Sequence, residues 1–130
     1  MAVIAGVMKH VIQRYATDCY PACIAMVADI SLTKAIRLVH PIRLKGSLYL
    51  TDDDRGVQVL RQLGFKVRKR LKLDLAKLNE RAIIAVAVGD EGHVAVWDPI
   101  KKKILDPDPM GRWIPLSWYQ EHLEYVLILS

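Results

Sequence analysis

Gln13, Cys19, His93 and Asp106 are side chains of the types that cysteine-dependent hydrolysis requires, an oxyanion donor, a nucleophile, a base and an orienter, in that chain order. A thiol attacks a carbonyl only as thiolate, and a helix N-terminus favours that anion through its dipole and free N–H groups. Cys19 follows Asp18, a good N-cap residue, and opens a stretch to Ala28 rich in Ala, Ile and Met, so a helix is expected to begin at the thiol. Pro21 suits the first turn of that helix, where no backbone donor is needed. Cys23 lies a turn later and is expected to face the core beside Ala22, Met26 and Val27. The Gln13 amide, with the backbone N–H of Cys19, can hold the oxyanion of a tetrahedral intermediate. Acyl transfer to Cys19, then hydrolysis, follows from these parts.

The pairing of His93 with Asp106 rests on strand register. His93–Trp97 and Lys102–Leu105 read as a hairpin around Asp98-Pro99-Ile100-Lys101. With the loop at 98–101, Trp97 faces Lys102 and His93 falls opposite Asp106. Cross-strand partners have Cβ atoms ~5 Å apart, close enough for a carboxylate to hold an imidazole. Asp98 is ~16 Å from His93 along an extended strand, and Asp108 misses by two positions. Asp106 is therefore the expected orienter, fixing the tautomer and stabilising the imidazolium.

The elements that must carry these residues are legible in outline. Residues 2–12 suggest a short strand, feeding a loop through Gln13–Thr17. Ser31 or Thr33 can cap a second helix over 32–39, before Pro41, and 41–52 reads as loop. Asp52 to Leu63 is expected to be an amphipathic helix, with Val57, Leu60 and Leu63 at helical spacing and Gly64 closing it. Phe65 to Leu71 reads as a strand, Leu73 to Glu80 as a short helix. Ala82 to Val88 is a near-continuous apolar run, expected as a central buried strand. Leu116 to Leu123 is expected to be helical and Tyr125 to Leu129 a last strand. Helices first and strands later argue for an α+β domain.

Composition fits one domain over 1–130: hydrophobic residues are 52% and charged residues 25%. Formal net charge is +5, which does not by itself imply a nucleic-acid partner. Two cysteines four apart are poorly angled for an unstrained bridge on one helix, so free thiols in a reducing cytoplasm are expected. The short apolar N-terminus lacks the basic residue of a signal peptide. No run approaches the ~20 residues needed to span a bilayer.

The string Gln-Arg-Tyr-Ala-Thr-Asp-Cys from Gln13 to Cys19, the His93-Val-Ala-Val strand and Asp106-Pro107 resemble the bacteriocin-processing peptidases, papain-like cysteine peptidases that remove double-glycine leaders. The resemblance runs over most of the chain, including the Leu63-Gly64-Phe65 helix exit and the apolar 82–88 strand. It implies a papain-like fold; the expected function is cysteine-dependent hydrolysis of an amide or peptide bond in a peptide or protein substrate, without metal or organic cofactor. It also implies an oxyanion role for Gln13, attack by Cys19 and a triad completed by His93 and Asp106. Stand-alone relatives of this type occur as bacterial or phage proteins, effectors or toxins. The family commonly has Gly directly after the nucleophile, whereas here Tyr20 follows Cys19, a ring expected to narrow or reshape the cleft.

Other readings compete. The same triad serves a deamidase or acyltransferase effector, which product analysis distinguishes. The basic run Lys66-Val67-Arg68-Lys69-Arg70-Leu71-Lys72 reads most simply as the solvated face of an edge strand. Its functional alternative is a nucleic-acid-binding module through Arg68, Lys69 and Arg70, although it lacks interleaved aromatics for base stacking. A non-enzymatic binding module is the third. Cys19, Cys23 and His93 as zinc ligands have the wrong spacing and no second pair. His10, His40 and His122 show no partners in sequence, and Trp97, Trp113 and Trp118 are expected to pack the core and cleft walls. Oligomeric state is not legible.

Overall fold

A computed structural model of the chain describes residues 8–15, 18–40 and 53–130. Its frame is a five-stranded antiparallel sheet of β1 (Val67–Arg70), β2 (Ala82–Val88), β3 (Glu91–Asp98), β4 (Lys103–Leu105) and β5 (Leu123–Leu129), in the order β1-β5-β2-β3-β4. The helices are α1 (Cys19–Ala28), α2 (Leu32–Val39), α3 (Asp53–Gln62) and α4 (Leu116–Glu121). Two 3-10 turns, Leu75–Lys77 and Pro109–Trp113, complete the described elements. The α+β class is as expected.

Both faces of the sheet are covered, which is why β2 reads as an unbroken apolar run rather than an alternating one. Ile83 and Ala85 of β2, with Val94 and Val96 of β3, pack against α1 and its Cys23, Ile24 and Val27. Ala82, Ile84 and Val86, with Ala95 and Trp97, pack on the opposite side against Leu75 and Tyr119. The strand period of two divides each strand between the two cores.

Local signals set several boundaries. Ser31 caps α2 by accepting the N–H of Lys34 at 3.1 Å. Gly64, at φ 99, closes α3 where a side chain would be strained. Arg55 of α3 donates to the carbonyls of Leu38 and Val39, at the carbonyl-rich C-terminus of α2. The stretch expected to be a helix over Leu73–Glu80 shrinks to the 3-10 turn Leu75–Lys77. Gln120 holds it there, accepting the N–H of Leu75 and donating to the carbonyl of Leu73. The strand expected over Phe65–Leu71 is Val67–Arg70, that expected from Tyr125 begins at Leu123, and the helix expected to reach Leu123 ends at Glu121. Residues 8–12 of the suggested first strand form no strand, while 2–7, and the loop expected over 41–52, lie outside the described residues.

The β3–β4 hairpin differs from its predicted register. Asp98 stays in β3 and pairs with Lys103, so the loop is 99–102 and Trp97 pairs with Ile104, not Lys102. The cause is the Asp98 side chain, whose Oδ1 accepts the N–H groups of Ile100 and Lys101 at 2.9 and 3.2 Å. Lys102 takes the left-handed conformation at φ 54 that completes the turn. An offset of two keeps every side chain on its expected face.

Candidate active site

Cys19 is the first residue of α1, half-buried at the mouth of two clefts. Asp18 precedes it, but contrary to the sequence reading its side chain makes no capping bond and its backbone (φ −97, ψ 12) is not that of an extended N-cap. The carbonyl of Asp18 still accepts the N–H of Ala22 at 3.0 Å and starts the helix. The donors of the first turn are thus not consumed by a carboxylate cap, which suits a site where an anion forms. Cys23, fully buried in the core, has its thiol pushed well above the usual range, first by burial, then by the charges of Cys19 and Asp106.

His93 sits near the start of β3 with its ring between two partners. Nε2–H donates to Asp106 Oδ1 at 2.6 Å, and the Cys19 side chain lies near enough to act on the ring, lining the same two cavities. Burial alone would lower the His93 pKa, but the bond to Asp106, the neighbouring Cys19 side chain and the negative charge of both raise it to about 10. Asp106 is 3% exposed. Burial would raise its pKa, yet the bonds from His93, Tyr119 and the Asp108 N–H hold it below the usual carboxylate value.

The meeting of His93 with Asp106 has a different origin from the predicted one. Carried straight on, the observed register would set Asp108 opposite His93. β4 ends at Leu105, however, and the chain turns at Asp106-Pro107-Asp108-Pro109, so Asp106 is the carboxylate that reaches the ring. Asp108 caps the following turn instead, accepting the N–H of Met110 at 2.9 Å.

Three residues around Asp106 had no signal in the sequence. Tyr119 of α4, 1% exposed, donates its hydroxyl to Asp106 Oδ2 at 2.6 Å. Its pKa is driven well up, first by burial and then by that bond. Gly111 packs so closely that a Cβ there would lie 2.3 Å from the Asp106 Cβ. His10, for which no partner was visible in the sequence, donates from Nε2 to the Asp106 carbonyl. Gln13 N–H reaches the Pro107 carbonyl at 2.9 Å, so the segment before Cys19 is tied to the segment after β4.

Gln13 lines the same cleft as Cys19, His93 and Asp106, a cavity of about 340 Å³ walled on its far side by Met110, Ile114 and Trp118. One Gln13 amide hydrogen points to the Tyr15 carbonyl at 3.2 Å, leaving the other for a ligand. A second cavity of about 310 Å³ opens on the other side of Cys19 and His93, lined by Tyr20, Asp53, Glu124 and Tyr125 among others. A further cavity, about 740 Å³ between α3 and strands β1 and β5, contains none of the four residues. Tyr20 does not block the site: its ring is 3% exposed and packs on Gly56 of α3. Trp97 is buried and Trp118 lines the cleft, but Trp113, expected to be packed, is 71% exposed beside Arg112. Among the described residues no group of His, Cys, Asp or Glu is arranged to hold a metal, and no helix is long and apolar enough to cross a membrane.

Helices packed on an antiparallel sheet in this arrangement form the papain-like peptidase fold, and this chain has it. Two solved structures share it. One is the peptidase domain of Streptococcus ComA, a bi-functional ABC transporter involved in a quorum-sensing pathway: TM-score 0.63 at 20% identity, covering 95% of this chain and 98% of that one. The other is a double-glycine motif protease from an AMS/PCAT transporter, in complex with a leader peptide: TM-score 0.56 at 15% identity, covering 95% and 91%. No family model and no curated protein matches the sequence.

Proposed function

We propose that the chain is a cysteine peptidase acting through Cys19, His93, Asp106 and Gln13. The observation that carries this is the His93 ring, bonded to Asp106 through Nε2 and lining the same two cavities as Cys19. The solved structures of the same fold are described as a peptidase domain and a protease, the second with a leader peptide bound, which supports a peptide as substrate.

The Cys19 thiolate attacks the scissile carbonyl, and the oxyanion is met by the Cys19 N–H and the remaining Gln13 amide hydrogen. The His93 imidazolium gives its proton to the departing amine as the C–N bond breaks, leaving a thioester on Cys19. Water, deprotonated by His93, then attacks the thioester and returns the free thiol. Asp106 keeps the ring oriented and balances its charge. Transfer of the acyl group to another acceptor, or ammonia release from a side-chain amide, uses the same intermediate and differs only in product.

The test is the pH dependence of iodoacetamide alkylation, read for Cys19 and Cys23 separately by peptide mass spectrometry, with turnover of a peptide mixture measured alongside. Cys19→Ala and His93→Ala are each expected to abolish turnover in a folded protein. His93→Ala is expected to slow Cys19 alkylation at pH 6 at least about tenfold, because the adjacent imidazolium is gone. Alkylation of Cys19 that ignores His93, or turnover that survives Cys19→Ala, would sink the assignment.

A further inference from the structure

Charge is segregated in this molecule. The chain carries 19 Lys and Arg against 14 Asp and Glu. Yet among the described residues, the two cavities that meet at Cys19 and His93 are lined by five carboxylates, Asp53, Glu91, Asp106, Asp108 and Glu124, and by no Lys or Arg. Asp106 is committed to His93 and Tyr119, and Asp53 to the Tyr125 hydroxyl. Glu91 and Glu124 are exposed and make no ion pair with a described residue. They stand on opposite sides of the reacting pair, Glu91 in the cavity with Gln13, Glu124 in the cavity with Tyr20.

The remaining walls suit the same kind of side chain. Trp118 and Met110 line one cavity and Tyr125 the other, while Tyr20, which also borders the second, is buried against Gly56. Lysine and arginine lay an alkyl stem on apolar surface and carry the charge to its edge, and aromatic faces attract that charge. Tyr125 already does so within the protein, with the Lys69 ammonium 4.3 Å from its ring centroid, approached from the neighbouring cavity. An anionic peptide would meet uncompensated carboxylates on both sides, a barrier that rejects it as firmly as the walls attract a cation.

We infer that the cleft takes a cationic peptide, with Lys or Arg flanking the bond at Cys19 on one or both sides. This rests on the peptidase reading for its chemistry, though the electrostatic part can be tested without it. In water a unit charge ~8 Å away changes the local concentration of an opposite ion about twofold, and 0.5 M salt screens most of it.

The experiment has two readouts on the full chain and on Glu91→Gln/Glu124→Gln. The first is the rate of Cys19 modification by a cationic and an anionic methanethiosulfonate, each normalised to N-acetylcysteine. Two such carboxylates, each raising the cation and lowering the anion about twofold, favour the cation about sixteenfold at low salt, with the preference lost at 0.5 M salt and in the double variant. A ratio at or below one, or one that the variant leaves unchanged, overturns the inference. The second is cleavage of a random peptide mixture, with Cys19→Ala as blank. Enrichment of Lys or Arg within three residues of the cut, weakened in the double variant, supports the inference. Cys19-dependent cuts without that enrichment overturn it and leave the peptidase reading standing. A cation preference with no Cys19-dependent cleavage supports the cationic ligand and removes the peptidase reading.

Discussion

Asp106 carries more constraints than any other side chain of the site. His93 and Tyr119 take its two oxygens, the Asp108 N–H shares Oδ1, and Gly111 leaves no room for it to swing. Gly111→Ala is expected to displace the carboxylate and cut turnover about 100-fold, the order associated with ~1 Å of misplacement. Tyr119→Phe is expected to lower kcat about tenfold with KM little changed, and to cost about 1–3 kcal/mol of stability for the oxygen left without a donor. Steady-state kinetics and urea melts of the two variants check this, and full activity in Gly111→Ala would refute it. The histidine gives a pH signature. Its folded pKa of about 10 lies above the unfolded 6.5, so the imidazolium stabilises the fold fully below pH 6.5 and that contribution is lost as pH rises through about 10. Asp106, held below its usual value, contributes in the opposite sense: present above its unfolded pKa, lost as pH falls through the folded one. Wild type should therefore lose more urea resistance than His93→Gln between pH 6.5 and 10, and parallel profiles would count against the ion pair.

At the scale of elements, the contact between α1 and α3 explains how a tyrosine is accommodated directly after Cys19. The Tyr20 ring lies where a Cβ on Gly56 would be, 2.2 Å from Cε1. Alanine in mid-helix normally gains about 1 kcal/mol over glycine. Here the ring must move, and overpacking of this kind costs about 1–3 kcal/mol, so Gly56→Ala is expected to destabilise. In a Tyr20→Ala background the obstacle is gone and the same change should stabilise by roughly the helix propensity. A double-mutant cycle read by urea denaturation tests the reversal of sign. If Gly56→Ala costs the same in both backgrounds, the ring is not what demands the glycine.

For the molecule as a whole, Gln13, Cys19, His93 and Asp106 lie off the basic strand β1, which reaches their cleft only where Lys69 covers the Tyr125 ring. β1 is an edge strand, as its alternating Lys and Arg suggested, and its charges are partly engaged. Arg68 pairs with Glu80 at 3.0 Å across exposed surface, an interaction of the class worth 0 to about 1 kcal/mol. Arg68→Gln/Arg70→Gln takes the formal charge from +5 to +3 by removing two cations. Thermal denaturation of this variant should move by no more than the value of that pair, and Cys19-dependent turnover should be unchanged. A loss of turnover would bring β1 into the substrate path.

The sequence by itself determined what local rules govern. The α2 limits, the Gly64 exit and the doubly buried β2 follow from caps, turn residues and hydrophobic period, each decided within a few neighbours, whereas α1 begins at Cys19 as expected but without the Asp18 side-chain cap on which that expectation rested. It also supplied the residue types of the site, since a thiol at a helix start and a strand histidine are rare enough to stand out. Only the tertiary structure decided how those groups meet. A two-residue error in hairpin register still led to Asp106, because the chain leaves the ladder at Leu105 and turns the carboxylate back. Tyr119, Gly111 and His10 reach Asp106 from 13, 5 and 96 positions away. Their residue types announce nothing, because a phenol, a glycine and an imidazole become fixtures of a carboxylate only when packing brings them to it. The same holds for the acidic cleft in a basic chain: net charge is a sum over residues, while the field at Cys19 depends on where the fold puts each one.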